Sequence, residues 1–304
     1  MFQTFKTLPE MFAAFPTEQS AIDHLTAIRW ANGKFCPLCG VVDRVGTLAG
    51  TNTHKCYACR KRFSIKVGTI FQDTKLPLRT WYAAIWMITN HPKGIASTTL
   101  ATDLGITQKT AWFVLHRLRH AARTDSFNAP LSGEVAADET AIGGLEKNKH
   151  ASKKKHAGRG LIGKTIVMGL VEKDGEVRAG VIDNVDSKTL HGVIRAHVAP
   201  GSTVVTDQHR GYRGLAAHYD HQTVNHGVGE YVKDGHTTNG VESLWALFKR
   251  QYHGTHHWIS AKHLDRYVGE MCFRLNRRDL DKGQRVNGLL AQIEGPLPYK
   301  VLTA

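Results

Sequence analysis

The chain has 304 residues, with 40 Lys and Arg against 26 Asp and Glu, a formal charge of +14 with His neutral. Apolar residues at 41% are enough for a real core, charged residues at 22% exclude a disordered chain, and five cysteines are too few for a disulfide scaffold of this length. No run of eighteen apolar residues occurs, so no transmembrane helix is expected, and Met1 to Pro16 lacks the charged-then-apolar order of a signal peptide. A strongly basic, reduced-compartment protein remains, and such a charge points to a polyanion, usually nucleic acid.

In chain order, Thr17 is placed to cap a helix running to about Trp30, with Ile22, Leu25 and Ile28 on one side. Two knuckles follow, Cys36-Pro-Leu-Cys39 and Cys56-Tyr-Ala-Cys59, with sixteen residues between them. Each Cys-x-x-Cys turn brings two sulfurs to one ion, and two turns complete a tetrahedron, so Cys36, Cys39, Cys56 and Cys59 read as a structural Zn²⁺ site. Redox dithiols and unrelated buried thiols are the alternatives; a redox pair does not come in duplicate with basic flanks. Strand candidates are Val41-Val42, Thr47-Leu48 and Arg62 to Ile65. Lys55, Arg60, Lys61 and Arg62 form a basic surface that either touches DNA or is simply solvated.

A helix opens at Leu76-Pro77-Leu78, runs through Trp81, Ile85 and Ile88, and ends at His91-Pro-Lys-Gly94. From Ile95 to Val114 the pattern is that of a helix-turn-helix. Ala101 sits where two helices cross, Gly105 permits the turn, and Thr107 caps a second helix bearing Gln108, Lys109, Arg117 and Arg119 as expected DNA contacts. An ordinary basic helical hairpin is the alternative. Residues 1–70, 71–125 and 130–285 read as three modules, with 286–304 as a tail.

Beyond Gly133 strands and helices alternate, as in an α/β sheet: Glu134 to Asp138, Thr165 to Val171, a turn at Asp174-Gly175, Glu176 to Ile182, a helix from Ser187 to His197, Thr203 to Asp207, Thr223-Val224, and a helix from Asn239 to Gln251. Asp138 and Asp207 each end a strand candidate, and Glu242 lies 34 residues after Asp207 at the start of a helix. Carboxylates on one rim of a sheet converge on divalent metal, and Mg²⁺ suits such ligands together with substrate phosphate. Asn239-x-x-Glu242 is equally a capping box, which gives Glu242 a structural task. Lys249, two turns on, shares its side of the helix and either holds a phosphate or is solvated. The basic run from Lys147 to Lys164, including Lys153, Lys154 and Lys155, is expected to track a DNA backbone. His253, His256 and His257 are either a second metal site or polar residues on a DNA-binding face.

Cys36-Pro-x-Cys39 with Cys56-x-x-Cys59, Ala111-Trp112, Asp138-Glu-x-x-x-Gly143-Gly144, Thr206-Asp207 with Tyr212, and His236-Thr-x-Asn239-x-x-Glu242 through Lys249 resemble the zinc-ribbon DDE transposases of bacterial insertion sequences, the ISXO-type group. The resemblance spans about residues 10–280. It implies a ribonuclease-H-like catalytic domain behind a zinc ribbon and a helix-turn-helix, with Asp138, Asp207 and Glu242 as a triad for Mg²⁺ or Mn²⁺ and Asn239 and Lys249 as helpers. It further implies strand cleavage and transfer on double-stranded DNA, both element ends and target, a homo-oligomer in the active complex, no membrane, and a bacterial cytoplasmic, nucleoid-associated setting. The rival function is a DNA-binding regulator derived from a transposase, without catalysis.

Overall fold

The computed structural model describes residues 4–123, 129–144, 150–154, 163–225 and 232–304. They fall into two compact units, Met1–Thr124 with Arg277–Ala304, and Asp125–Asn276. Among the described residues no helix is long and apolar enough to cross a membrane.

The first unit begins with α1 (Leu8–Ala14) and α2 (Glu18–Arg29), the latter capped by Thr17 as expected, in a reciprocal box with Ser20. A three-stranded antiparallel sheet follows, β1 (Val45–Thr47), β2 (Thr53–Cys56) and β3 (Arg62–Ser64), in that order. The Val41-Val42 strand is not formed: Val42 makes a single bridge to Phe35. Helix α3 (Leu78–Asn90) buries ten of its thirteen residues. A helix that is apolar on every side needs neighbours on every side, and α1, α2, α4 (Ser97–Leu104), α5 (Gln108–Ala121) and α9 (Lys282–Leu290) supply them. Short helix α10 (Tyr299–Thr303) closes the chain.

Two expectations are corrected here. The C-terminal residues are not a tail: Arg29 pairs with Glu294 at 2.7 Å, Ile70 N–H donates to Ile293 C=O at 2.8 Å, and Gly295 N–H to Gly68 C=O at 2.9 Å, so the segment from Arg277 belongs to the first unit. Arg117 and Arg119 are not surface DNA contacts. They are 6% and 1% exposed, and the Arg117 guanidinium donates to the carbonyls of Ile70 (2.8 Å), Gln72 (2.9 Å) and Leu297 (3.2 Å). That fork closes three peptide ends no regular element satisfies.

The second unit holds β4 (Glu134–Ile142), β5 (Thr165–Glu172), β6 (Val177–Ile182), β7 (Thr203–Thr206) and β8 (Asp220–Thr223), ordered β6-β5-β4-β7-β8. Strands β4, β5 and β6 form an antiparallel meander, while β7 and β8 run parallel to β4. Because side chains alternate along a strand, Val135 and Ala137 pack with Leu190 and Ile194 of α6 (Ser187–His197). Ala136 and Ile142 pack on the opposite face, with Val241, Trp245 and Phe248 of α7 (Asn239–Gln251) and Leu264 and Val268 of α8 (Ala261–Asn276). A small hairpin, β9 (Val232–Lys233) and β10 (His236–Thr237), precedes α7.

Candidate functional sites

The four cysteines form the one group of three or more potential metal ligands, among the described residues, whose donor atoms all lie within 4.8 Å of one another. Four thiolates about 2.3 Å from a single Zn²⁺ at tetrahedral angles stand about 3.8 Å apart. Here Cys36 Sγ and Cys59 Sγ are 3.9 Å apart and Cys39 Sγ and Cys56 Sγ 3.7 Å, with none in a disulfide. The Cys59 N–H points at Cys56 Sγ at 3.5 Å, and Gly40 takes φ 74° behind the first knuckle, the conformation its turn requires. Arg60, Lys61 and Arg62 are exposed beside this cluster.

The helical pair α4–α5 forms as the sequence predicts. Gly105 ends α4 at φ 63°, Ile106 N–H bonds back to Ala101 C=O at 3.0 Å, and Thr107 Oγ1 accepts from Thr110 N–H at 3.2 Å. Leu100, Ala101, Ala111 and Val114 are buried where the helices meet. Gln108 and Lys109 are exposed at the start of α5; the Gln108 amide donates to Ser97 Oγ at 2.9 Å and Lys109 lies over the Tyr299 ring.

In the second unit Asp138 lies mid-strand, not at a strand end. Strand β4 runs on to Ile142 because β5 pairs with it to Thr165, whereas β7 pairs only with Glu134 to Ala136. Carrying that parallel register on by two residues sets Asp138 beside Asp207, the residue that follows β7. The two acids therefore share the edge where β7 stops. The Asp138 carboxylate accepts from Trp245 Nε1 of α7 at 3.0 Å. Trp245 reaches it because Gly169, paired with Asp138 on β5, has no side chain: a Cβ there would stand 2.7 Å from the indole.

Sequence reasoning missed Glu139. It points to the other face of the sheet, where Tyr212 Oη donates to it at 2.6 Å and His209 Nδ1 lies 3.6 Å away. The backbone N–H of His209 in turn holds Asp207 Oδ1 at 2.9 Å. The Asp207 charge thus acts on both Asp138 and Glu139, whose side chains leave opposite faces of β4. Burial first, then the Glu139 and Asp207 charges, push Asp138 up to about 6. Burial also raises Glu139, against the opposing hydrogen bond from Tyr212. The signal available in the sequence was the Asp-Glu dipeptide with a Tyr five residues after Asp207.

Glu242 is exposed one turn before Trp245 and does not close into a tight cluster with the two aspartates. The expected capping box does not form. Thr238 is the N-cap and its Oγ1 donates to Glu242 Oε1 at 3.0 Å, while Asn239 is the first helical residue, exposed. Lys249 is exposed two turns further along α7. Of the basic run, Ala151–Lys153 form a 3₁₀ turn and Lys154 is exposed, while Lys155 lies outside the described residues.

The family model for the ISXO2-like transposase domain matches residues 130–276, and that for the transposase zinc-ribbon domain matches residues 16–62. An uncharacterized transposase-like protein of Haemophilus influenzae is 31% identical over 104 residues, 33% of this chain and 80% of that one. The chain belongs to the ISXO2-like zinc-ribbon transposase family. An uncharacterized protein in transposable element ISH50 of Halobacterium salinarum is 26% identical over 276 residues, 86% of this chain and 92% of that one. Among solved structures, a Mos1 transposase paired-end complex with the left transposon end overlaps 70% of this chain and 80% of that chain, at 11% identity and a TM-score of 0.26, a likeness too loose to carry detail.

Proposed function

We propose that this family member is a working transposase that cleaves DNA at the ends of its element and joins them to target DNA. The observation that carries this reading is the placing of Asp138 beside Asp207 at the stop of β7, where burial first and then the neighbouring carboxylates push Asp138 up to about 6. Such a site is unfavourable by itself and is relieved by a divalent cation. The order β6-β5-β4-β7-β8, with helices on both faces, supports a ribonuclease-H-like catalytic unit.

The donor set is all oxygen, which suits Mg²⁺ or Mn²⁺. Asp138 and Asp207 would hold the ion, with Glu242 from α7 as the third ligand. When bound, the metal activates a water or 3′-hydroxyl and stabilises the leaving oxygen. The protein's own groups prepare for this. Trp245 fixes the Asp138 rotamer and the His209 N–H fixes that of Asp207. Thr238 orients Glu242, and Lys249 meets the phosphate of the strand being cut.

Binding would come from elsewhere in the chain. Zn²⁺ on the four thiolates holds the ribbon, whose exposed Arg60, Lys61 and Arg62 face phosphate. Helix α5 serves as the recognition helix, with Gln108 and Lys109 at its start reading bases. Lys153, Lys154 and Lys155 track the backbone. Two copies acting on two element ends make a homo-oligomer. The test is incubation of the zinc-loaded protein with duplex bearing the element's terminal repeats and Mg²⁺. Nicking at the repeat and joined product are expected; binding without any cut would leave the regulator function instead.

A further inference from the structure

Helix α7 does not end in the usual way. After Gln251 the chain makes one turn of π-helix, Tyr252–His256, and His257 then takes φ 59° and ψ −37°. A π turn is rare and concentrates at functional positions, and a left-handed backbone at a residue other than glycine is strained. The product of this distortion is Trp258, 69% exposed, the most exposed large apolar side chain among the described residues.

The backbone around it is pinned. Tyr252 and Ile259, on either side, are 5% and 6% exposed in the core under α7 and α8. Behind them, Arg274 donates to Gln251 Oε1 at 2.7 Å and is paired with Glu270, both buried. The His256 ring lies 3.3 Å from the Gln251 amide and packs edge-on against Tyr267, and the backbone N–H of Trp258 donates to His256 C=O at 2.6 Å. The backbone that carries Trp258 is thus anchored on both sides, while its indole stands 69% exposed.

Close to it along the chain, Lys249 and Arg250 in the last turn of α7, His253, His257 and Lys262 are also exposed. A partner must therefore offer a flat apolar face and negative charge together. A nucleotide does both, but a duplex hides its base faces, so the base must be unpaired. We infer that Trp258 is a stacking platform for an unpaired nucleobase, with Lys249 and Arg250 on the adjoining phosphates. This rests on the DNA-processing reading above. Trp245, whose indole donates to Asp138, lies on α7, and Trp258 follows the π turn that ends that helix, thirteen residues on in the chain.

The test uses the full, zinc-loaded chain with two fluorescent probes, an oligothymidine of about ten nucleotides and a duplex of equal charge, read by anisotropy at one salt concentration. Trp258→Ala is expected to weaken oligothymidine binding about ten-fold and leave the duplex nearly unchanged. Trp258→Phe, which keeps a π face, is expected to restore most of the loss. Equal losses on both probes, or none, overturn the inference. So does a change in oligomeric mass by light scattering with single-strand binding intact, which would make the indole a contact between copies. If the unaltered protein binds the duplex but not the single strand, this inference alone falls; if it binds neither, the DNA reading falls with it.

Discussion

Replacing Arg117 separates a structural arginine from a DNA-reading one. Its guanidinium donates to three backbone carbonyls, of Ile70, Gln72 and Leu297, at 2.8, 2.9 and 3.2 Å. It also stacks on Phe113, with 4.4 Å to the ring centre. Hydrogen bonds to a charged donor contribute about 1.5–3 kcal/mol each, and a buried acceptor left unpaired costs about 1–3 kcal/mol. The three act as one unit and do not add, so Arg117→Ala is expected to destabilise the first unit by about 3–5 kcal/mol. In a unit of this size about 2–4 °C of melting temperature goes with each kcal/mol, giving a drop on the order of 10 °C. Arg117→Lys is expected to recover a minor part, because one ammonium cannot fork to three carbonyls. The assay is calorimetric melting beside DNA binding across a salt series. Below the melting point the variant should bind with the unaltered salt dependence. A variant that melts normally but loses about one phosphate contact from its salt slope would refute this account of the burial.

Further outcomes follow from the same geometry. Purified protein should carry one zinc per chain, and chelation or Cys36→Ser should unfold the ribbon and weaken DNA binding; zinc-free protein of unchanged stability would refute the site. Asp138 binds its proton more tightly folded than unfolded, so its favourable contribution is complete below its ordinary 3.8 and is lost as pH rises through about 6. In metal-free buffer Asp138→Asn should accordingly stabilise the protein at neutral pH, by up to about 3 kcal/mol, with no gain below pH 4; thermal melts across pH check this. Gln108→Ala and Lys109→Ala should cost about ten-fold on element-end DNA and little on random duplex; equal losses on both would remove α5 from sequence reading.

Local chemistry was legible in the sequence. Cysteine spacing placed the four-thiol cluster, Gly105 and Thr107 placed the turn and cap between α4 and α5, and the helix read from Asn239 to Gln251 is α7. What depended on distant partners was not. Arg117 looks like a solvent position on α5 until the C-terminal segment meets it at Leu297, and Arg119 is buried as well. That segment carries no motif, only the apolar residues Val286, Leu289, Leu290 and Ile293 that complete the first unit. The end of β4 was misplaced because its two neighbours differ in length, and only pairing decides where a strand stops. Glu139 escaped notice for a related reason: adjacent residues of a strand face opposite ways, and its partners His209 and Tyr212 come from beyond β7.

The most direct measurement of the central claim is strand cleavage and joining in Mg²⁺ by Asp138→Asn, Asp207→Asn and Glu242→Gln, each beside its own element-end binding and melting curve. Gln keeps the hydrogen-bonding shape that Thr238 holds at the start of α7 but carries no charge for a cation. All three variants should fold and bind ends as the unaltered protein does, and all three should lose cleavage and joining together, since the acids act as one unit. Near-normal cleavage by Glu242→Gln, with both aspartate variants inactive, would contradict the assignment of α7 to the metal site.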